Sequence, residues 1–493
     1  MTQEPKKMDR RNFLYAGLGA GIIIVGGAAI YFATKPPEVT TITSTATSTT
    51  TVPTTATTTA TSISTTTATS TTTTTMSSPK VKIPLRYFHG WASTRPIYTA
   101  MMKQIDEYNA QNPDYEIKPQ YIDMNNFVPV VTAMITAGVP PDCVYSPARN
   151  FAPLADQNFF LPIDSRVQTD LPDLINQSST DPLSVAKPIW DQFVYNGNLL
   201  GLPLAHTACG LIYYNTEIFA QQGIRIPTVK QPWSWDEWVN ICVKLTNPAQ
   251  NKYAYGARAA AGSQYFMRHW YWMFWLHGAD PVIQVNGKWA SGASSPGFLA
   301  ALESIDDLVN VRQVIPRSCI SWKSVADLMT AFCKDQSVAM VHCEGFFKGN
   351  VDKTYPDFKY DVCVQPMLTN TMQNGVIPAD DGAWLLLNKS NYPDPMWDFL
   401  VWSSDYERTL ARFLPEGYTP PFQKFITDSR NTPFFQKTLE LFPYVRGFTN
   451  CPKSYQVDSQ VIEPGLQNLI LGKAKPADLA TSMDAQITTI LTS

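Results

Sequence analysis

Apolar and polar positions alternate, and then repeat with helical spacing, at the start of the folded part of the chain. The run VKIPLRYFHGW at 81–91 predicts a strand, a helix is expected from about 96 to 109, and a second strand from 115 to 122. An apolar helix over 127–138 and a strand at 143–145 follow. Strand, helix and strand in this order are typical of a parallel sheet, so the pattern predicts an α/β fold.

A second set of elements begins after the segment GLPLAHTACG. The run 211–214 favours a strand, and Asn215 then introduces a helix. Ser234 is expected to cap another helix, because its hydroxyl can accept an amide N–H of the first turn. In RHWYWMFWLHGADPV, residues 268–282, the aromatic residues cover too wide an arc for one buried stripe, so some rings are expected to border a cleft.

The N-terminus has the pattern of an export signal followed by a membrane segment. Residues 1–14 are basic and expected in the cytoplasm, and DRRNFL at 9–14 resembles the twin-arginine export signal, an ordinary charged flank being the alternative. The apolar run 15–33 is long enough to cross a bilayer, which places the rest of the chain outside the cell. The absence of a nearby Cys or an A-x-A cleavage site favours an uncleaved anchor over a released signal peptide.

Residues 36–79 consist almost entirely of Thr, Ser, Ala and Val. Such a segment has no apolar periodicity with which to offset its chain entropy, so we expect a stalk rather than a folded domain. O-glycosylation would stiffen this stalk, and a bare flexible tether is the alternative.

The overall charge excludes partners that depend on a strong electrostatic field. With 38 basic and 41 acidic residues the formal net charge is −3, so no nucleic-acid partner is expected. The chain has 13 Trp and 22 Tyr, and aromatic rings offer stacking surfaces for the faces of sugars, although most buried rings only fill core.

Metal and nucleophile motifs are incomplete. His342-Cys343-Glu344 has the H-x-E spacing of zinc deaminases, but no P-C-x-x-C follows, so no metal site and no cofactor are expected. The eight cysteines lie in a domain placed outside the cell, where disulfides survive, and their pairing cannot be deduced from the sequence.

Several segments carry a resemblance to a known family. The segment GLPLAHTACGLIYYNTEIF at 201–219, the Gly-Val-Pro-Pro-Asp turn at 138–142, the helix start PWSWDE at 232–237 and FCKDQSVAMVHCEGFF at 332–347 resemble the extracytoplasmic solute-binding protein family 1, the sugar-binding proteins of ABC importers. Gln336 lies where that family usually has Gly, so the loop at 332–347 departs from the family pattern.

The resemblance implies a two-lobed α/β fold of the type II periplasmic-binding-protein kind, with discontinuous lobes around a cleft. Lobe 1 would comprise 80–204 and 381–419, and lobe 2 would comprise 205–380 and 420–493. Loops at the carboxyl ends of strands in open α/β sheets face such a cleft. Candidate ligand-binding residues are His89, Trp91, Tyr145, Arg149, His206, Trp270, Trp272, Glu344, Phe346, Asp380, Asp381 and Trp384.

The resemblance further implies a non-enzymatic protein, anchored to the cell membrane by its N-terminal helix, that binds a saccharide outside the cell and delivers it to an ABC permease. Three alternatives stay open. One is a cell-surface glycoside hydrolase that uses Glu344 with Asp381 as paired carboxylates. The others are a peptide- or polyol-binding protein of the same fold, and a structural protein of the cell envelope.

Overall fold

The computed structural model describes residues 81–175, 187–205, 210–262, 266–420 and 422–493. The chain divides into two units, Met1–Val81 and Lys82–Ser493, and every described helix and strand lies in the second unit. The predicted signal, anchor and stalk lie outside the described residues, as do His206 and Cys209. Within the part that is described, no helix combines the length and the apolar character needed to cross a bilayer.

The described residues alternate between strands and helices along most of their length. The strands are β1 (Ile83–His89), β2 (Tyr115–Tyr121), β3 (Cys143–Pro147), β4 (Val194–Tyr195), β5 (Asn198–Leu199), β6 (Leu202–Ala205), β7 (Leu211–Asn215), β8 (Tyr253–Gly256), β9 (Val282–Val285), β10 (Lys288–Ser291), β11 (Val338–Cys343), β12 (Tyr360–Val364), β13 (Ile377–Ala379), β14 (Gly382–Leu386) and β15 (Val445–Gly447). The helices are α1 (Pro96–Gln111), α2 (Phe127–Thr136), α3 (Ala152–Ala155), α4 (Asp164–Asp170), α5 (Pro172–Ile175), α6 (Lys187–Trp190), α7 (Thr216–Gln221), α8 (Trp235–Leu245), α9 (Phe266–Leu276), α10 (Pro296–Asp306), α11 (Val325–Met329), α12 (Phe346–Thr354), α13 (Pro393–Ser403), α14 (Tyr406–Phe413), α15 (Pro433–Glu440), α16 (Ser454–Val457), α17 (Glu463–Ile470) and α18 (Pro476–Thr492).

The first sheet has five strands in the order β2-β1-β3-β14-β6. β1 pairs in parallel with β2 and β3, whereas β14 pairs antiparallel with β3, with Gly382 opposite Pro147. Both β3 and β14 are buried along their whole length, as expected for central strands covered on both faces. The antiparallel pairing brings the start of β14 to the carboxyl end of β3.

The second sheet has four strands in the order β12-β7-β11-β8. β11 runs parallel to β8 and antiparallel to β7, and β7 is antiparallel to β12. The sequences of β7 and β11, LIYYN and VAMVHC, are fully buried and rich in residues that favour strands. Parallel pairing places the carboxyl ends of β8 and β11 at the same edge of this sheet.

The chain passes between the two sheets several times. It leaves the first sheet at β6, builds the second from β7 to β12, and returns to the first at β14. After β14, helix α15 packs on β12 and β15 pairs with β13. The predicted two-lobed α/β fold with discontinuous lobes is therefore confirmed. The exact lobe boundaries remain predictions, and β6 reaches Ala205, one residue beyond the first of them.

Two predicted helix starts are confirmed. The side chain of Asn215 accepts hydrogen bonds from the amides of Glu217 at 3.0 Å and Ile218 at 3.1 Å. The hydroxyl of Ser234 accepts from the amide of Glu237 at 3.2 Å. Such side chains satisfy first-turn N–H groups that have no partner within the helix.

Helix α9 departs from its prediction. All eleven residues of Phe266–Leu276 are buried, so the wide arc of aromatic residues does not mean that one side of the helix is exposed. Apart from Arg268, its residues are mostly apolar or aromatic, as expected for a helix inside the protein.

The seven cysteines among the described residues are all buried and unpaired. Burial raises the pKa of the thiols of Cys143 and Cys242, among others, so these groups stay neutral and pack as small apolar side chains.

Candidate functional site

A chain of alternating charges runs through the interior at the edges of both sheets. Arg149 pairs with Asp380, and Arg268 Nε lies 2.6 Å from Oδ2 of the same carboxylate. Arg268 Nη1 lies 3.0 Å from Oε1 of Glu344, whose other oxygen, Oε2, is 3.2 Å from Nη2 of Arg258. None of these five side chains is more than 7 % exposed. We call these five residues the ion chain.

The topology of the sheets explains why these residues meet. Arg149 follows β3 and Asp380 precedes β14, and the antiparallel pairing of these two strands brings the residues together. Glu344 directly follows β11, and Arg258 follows β8, its parallel neighbour. Arg268 in α9 lies between the two pairs. The ion chain therefore joins the carboxyl ends of strands from both sheets, where ligands bind in open α/β folds.

Burying these charges is costly unless every one of them is paired. Burial alone would raise the pKa of Glu344, but the guanidinium groups of Arg268 and Arg258 outweigh it and hold this pKa well below its usual range. Glu344 is therefore ionised throughout the physiological pH range. Its two oxygens are fixed acceptors, and the guanidinium groups are fixed donors.

Three potential metal ligands also lie at this position. Ligand atoms of His269, Cys343 and Glu344 all lie within 4.8 Å of one another. However, Nη2 of Arg258 lies 2.9 Å from Nε2 of His269, 3.9 Å from Sγ of Cys343 and 3.2 Å from Oε2 of Glu344. A guanidinium group thus already contacts all three, and a metal ion would have to displace it.

A small cavity opens at the Arg149 end of the ion chain. Three aromatic rings meet there: Tyr271 and Trp275 at 6.2 Å, Tyr271 and Phe448 at 5.7 Å, and Trp275 and Phe448 at 5.4 Å between centroids. We call it the aromatic cavity. Its lining comprises Arg149, Tyr271, Trp275, Asp280, Pro281, Val282, Phe448, Thr449, Ser454 and Asp458.

Two carboxyl groups of this cavity have different partners. Asp280 accepts a hydrogen bond from Nε1 of Trp275 at 2.7 Å and pairs with Arg446, whose guanidinium lies 4.8 Å from the centroid of the Trp275 ring. Asp458 accepts a hydrogen bond from the hydroxyl of Tyr271. Burial raises the pKa of Asp458 to about 8.

The structure brings three of the predicted site residues, Arg149, Glu344 and Asp380, into the ion chain. Asp381 is also buried, but it is held by Gln192, whose Nε2 donates to Oδ2 of Asp381 at 2.6 Å. His206 lies outside the described residues.

His89, Trp91 and Tyr145 form a cluster of aromatic rings at the carboxyl ends of β1 and β3. The centroid distances are 5.6 Å from His89 to Trp91 and 4.6 Å from Trp91 to Tyr145. Burial lowers the pKa of His89 to about 4, so its imidazole is neutral at neutral pH. The indole N–H of Trp91 is buried and has no acceptor among the described residues, and the same holds for the amide Nδ2 of Asn150. These two donors could serve ligand hydroxyls.

The tryptophans expected in the cleft lie in the core instead. Trp270 and Trp272 are fully buried, and Nε1 of Trp270 donates to the carbonyl oxygen of Arg258 at 2.8 Å. Trp384 is 1 % exposed and donates to the hydroxyl of Tyr87 at 3.0 Å. Phe346 is buried with the guanidinium of Arg95 4.9 Å from its ring centroid. None of these four rings presents an open stacking face.

Sequence reasoning missed the face of α9 that borders the aromatic cavity. Arg268 is the one charged residue in the otherwise apolar sequence FMRHWYWMFWL. Tyr271 and Trp275 follow it at i+3 and i+7, the spacing of one helix face. The charge of Arg268 could thus have drawn attention to Tyr271 and Trp275, but Trp272 at i+4 shares the same face, so the spacing alone does not separate the rings of the cavity from those of the core.

The fold, with the ion chain at the edges of its two sheets, is that of a two-lobed solute-binding protein. Residues 91–405 match the family described as bacterial extracellular solute-binding protein, and the chain belongs to that family. A protein of Streptomyces antibioticus described as "Uncharacterized lipoprotein in oleD 5'region" is 26% identical over 300 residues, which cover 57% of this chain and 58% of that relative.

Solved structures with the same fold include an ABC substrate-binding protein from Listeria monocytogenes in complex with cycloalternan, with a TM-score of 0.69 at 18% identity over 84% of this chain and all of the other. Maltose-bound MalE3 of T. maritima gives 0.69 at 16% identity, covering 83% and 100% of the two chains. A solute-binding protein from Agrobacterium radiobacter K84 in complex with ribitol gives 0.68 at 15%, covering 84% and 100%.

Proposed function

We propose that this protein binds a polyhydroxylated ligand, a sugar or a polyol, between its two lobes and delivers it to the permease of an ABC importer. Membership of the solute-binding family supports the general role. The ligands named for the three structural neighbours, cycloalternan, maltose and ribitol, all carry several hydroxyl groups, which supports this class of ligand.

The observation that carries the proposal is the ion chain with the aromatic cavity beside it. Hydroxyl groups of a ligand lose their hydrogen bonds to water on burial, and this costs free energy unless the site supplies fixed donors and acceptors. Arg149 supplies charged donors, and Trp91 and Asn150 carry buried N–H groups without an acceptor in the described part of the chain. The rings of the aromatic cavity offer apolar surface for C–H groups.

We also propose that the protein is anchored in the cell membrane with its binding domain outside the cell. Residues 15–33 would anchor it in the cell membrane, and residues 36–79 would hold the binding domain outside the cell. The family is extracellular, and the Streptomyces relative is described as a lipoprotein, which supports membrane association by some route. A tether of this kind raises the concentration of the domain near its permease.

The glycoside hydrolase alternative is less well supported. Such an enzyme needs a carboxyl group that can give up a proton to the leaving group. Both oxygens of Glu344 pair with guanidinium groups, and its lowered pKa makes it a poor acid. Asp381 is held by the side chain of Gln192.

A calorimetric titration of the purified protein with maltose, a longer maltodextrin and ribitol tests the proposal. We expect one-to-one saturable binding of at least one of them, and recovery of that ligand unchanged after incubation. Bond cleavage in a labelled oligosaccharide would support the hydrolase instead. Failure of every saccharide and polyol to bind would contradict the proposed ligand class.

A further inference from the structure

The aromatic cavity contains one carboxyl group, that of Asp458, with which no described cation forms an ion pair. Asp280 pairs with Arg446, and Arg149 pairs with Asp380, which it shares with Arg268. Asp458 is 9 % exposed, lines the cavity and accepts a hydrogen bond from Tyr271, yet among the described residues no arginine or lysine lies within ion-pairing distance of it.

Glu463 lies outside the lining of the cavity but adds negative charge near Asp458. It is 7 % exposed, and its Oε2 accepts a hydrogen bond from the amide of Gly262 at 2.9 Å, but it too lacks a cation at ion-pairing distance among the described residues. Charged and titratable groups that act on Asp458 are Tyr271, Glu463, Arg149 and Asp280. Only one of these is a cation.

We propose that the aromatic cavity receives a positively charged group of the ligand, an ammonium or quaternary ammonium on a hydroxylated scaffold. This inference rests on the proposed function and narrows its ligand class. The charge faces Asp458, and the carbon atoms around it contact Tyr271, Trp275 and Phe448.

The rings suit such a guest because aromatic faces attract cations. The protein uses this attraction at the same place, since the guanidinium of Arg446 lies 4.8 Å from the centroid of the Trp275 ring. A cation also offsets the cost of an ionised, buried Asp458, which is otherwise large. A neutral sugar would contact the rings but would supply no charge that favours the carboxylate form of Asp458.

The protonation state of Asp458 should change when a cation binds. Burial raises the pKa of Asp458 to about 8 and that of Glu463 to about 7, so at pH 7 Asp458 carries a proton in the free protein. A bound cation favours the carboxylate and lowers this pKa. Binding of the cation therefore releases a proton, and its affinity rises between pH 6 and pH 8.

The test is a calorimetric titration of the full-length protein with the glucosamine disaccharide chitobiose, its neutral counterpart cellobiose, and choline. The affinity of each compound is measured at pH 6, pH 7 and pH 8. Proton release is measured at pH 7 by comparing two amine-free buffers that differ in ionisation enthalpy. We expect chitobiose at pH 7 or choline at pH 8 to bind at least tenfold more tightly than cellobiose. Choline, whose charge does not change with pH, should bind severalfold more weakly at pH 6. The apparent enthalpy should differ between the two buffers. If both chitobiose and choline bind, the site recognises the positive charge without requiring a sugar. If only chitobiose binds, the ligand is an amino sugar.

The variant Asp458→Asn keeps an acceptor for Tyr271 and removes the charge. It should lose the preference for the cation and the proton release, while Asp307→Asn, in an exposed pair with Arg312, should retain both. Melting curves of both variants establish that they are folded. Binding of cellobiose with equal affinity and no proton release would overturn the inference and leave the proposed function intact. Binding of choline alone would support the cation site. Binding of none of the three compounds would contradict the cation site, and the proposed function would still be decided by the titration with maltose, maltodextrin and ribitol.

Discussion

At the scale of the residue, Asp380 is the group on which the polar interior most depends. Its carboxylate pairs with both Arg149 and Arg268, and its main-chain carbonyl accepts from Arg268 Nη2 at 3.2 Å. The two arginines come from different parts of the chain, and Arg268 also pairs with Glu344, so Asp380 links Arg149 to the rest of the ion chain. Removing one partner from such a group leaves the others buried and uncompensated.

The variant Asp380→Asn should therefore lower the free energy of unfolding by about 3–5 kcal/mol. Urea denaturation measures this. Asp361→Asn is the matched control, because its pair with Lys437 is 43% and 37% exposed and such pairs contribute only about 0–1 kcal/mol. If both variants lose the same free energy of unfolding, the buried ion chain contributes no more to stability than an exposed ion pair.

Trp384 is a second buried residue whose removal should lower the stability of the fold. Its ring is buried between Tyr87 and Arg412, whose guanidinium lies 4.8 Å from the ring centroid. Trp384→Ala should reduce the unfolding free energy by about 3–5 kcal/mol because it leaves a cavity in the core. The affinity of the remaining folded protein for its ligand should stay within a factor of two. A large loss of affinity with unchanged stability would place the ring in the binding site after all.

Asp458 makes the stability depend on pH. Its pKa is about 8 in the folded protein and about 4 in an unfolded chain. A raised carboxyl pKa contributes stability that is fully present below the unfolded value and is lost as pH rises through the folded value. Between pH 4 and pH 8 the ligand-free protein should therefore lose part of its stability. The melting temperature of Asp458→Asn should fall less over this range than that of the wild type, and parallel curves would show that Asp458 does not titrate in this way.

At the scale of the element, features that depend on neighbouring residues could be predicted from the sequence, whereas features that depend on contacts with distant segments could not. Asn215 and Ser234 could be identified as helix caps because a cap acts within its own first turn. The wide arc of aromatic rings in helix α9 fits a helix that borders a cleft as well as a helix buried on all sides. Only the surrounding chain decides between them.

Close packing of β14 on β3 gives a test of this element. A Cβ at Gly382 would lie 2.0 Å from the hydroxyl oxygen of Tyr145, so any larger residue at this strand position must displace the Tyr145 ring. Gly382→Ala should destabilise the protein by about 1–3 kcal/mol, because overpacking forces the ring to move. Combined with Tyr145→Val, which removes the ring, the loss should be smaller than the sum of the two single losses. Strict additivity in urea denaturation would contradict this packing.

At the scale of the whole molecule, the resemblance to a family supplied the two-lobed fold, whereas the site depends on contacts between distant segments. Arg149 and Asp380 are brought together by the pairing of β3 with β14, which no local pattern records. The same holds for Tyr271 with Asp458. The whole ion chain contains residues next to strands of both sheets, so closure of the lobes and binding of ligand should be coupled through it.

The most direct test of this account compares Arg149→Lys with Arg166→Lys in calorimetric titrations with the tightest-binding saccharide or polyol. Lysine keeps the charge but lacks the planar set of donors, so it cannot reproduce the contacts of a buried arginine. Arg166 pairs with the 78% exposed Asp394 and lies outside the ion chain. We predict at least a tenfold loss of affinity for Arg149→Lys in protein shown to be folded, and unchanged affinity for Arg166→Lys. The same affinity in both variants would contradict the claim that ligand is held at the ion chain between the lobes.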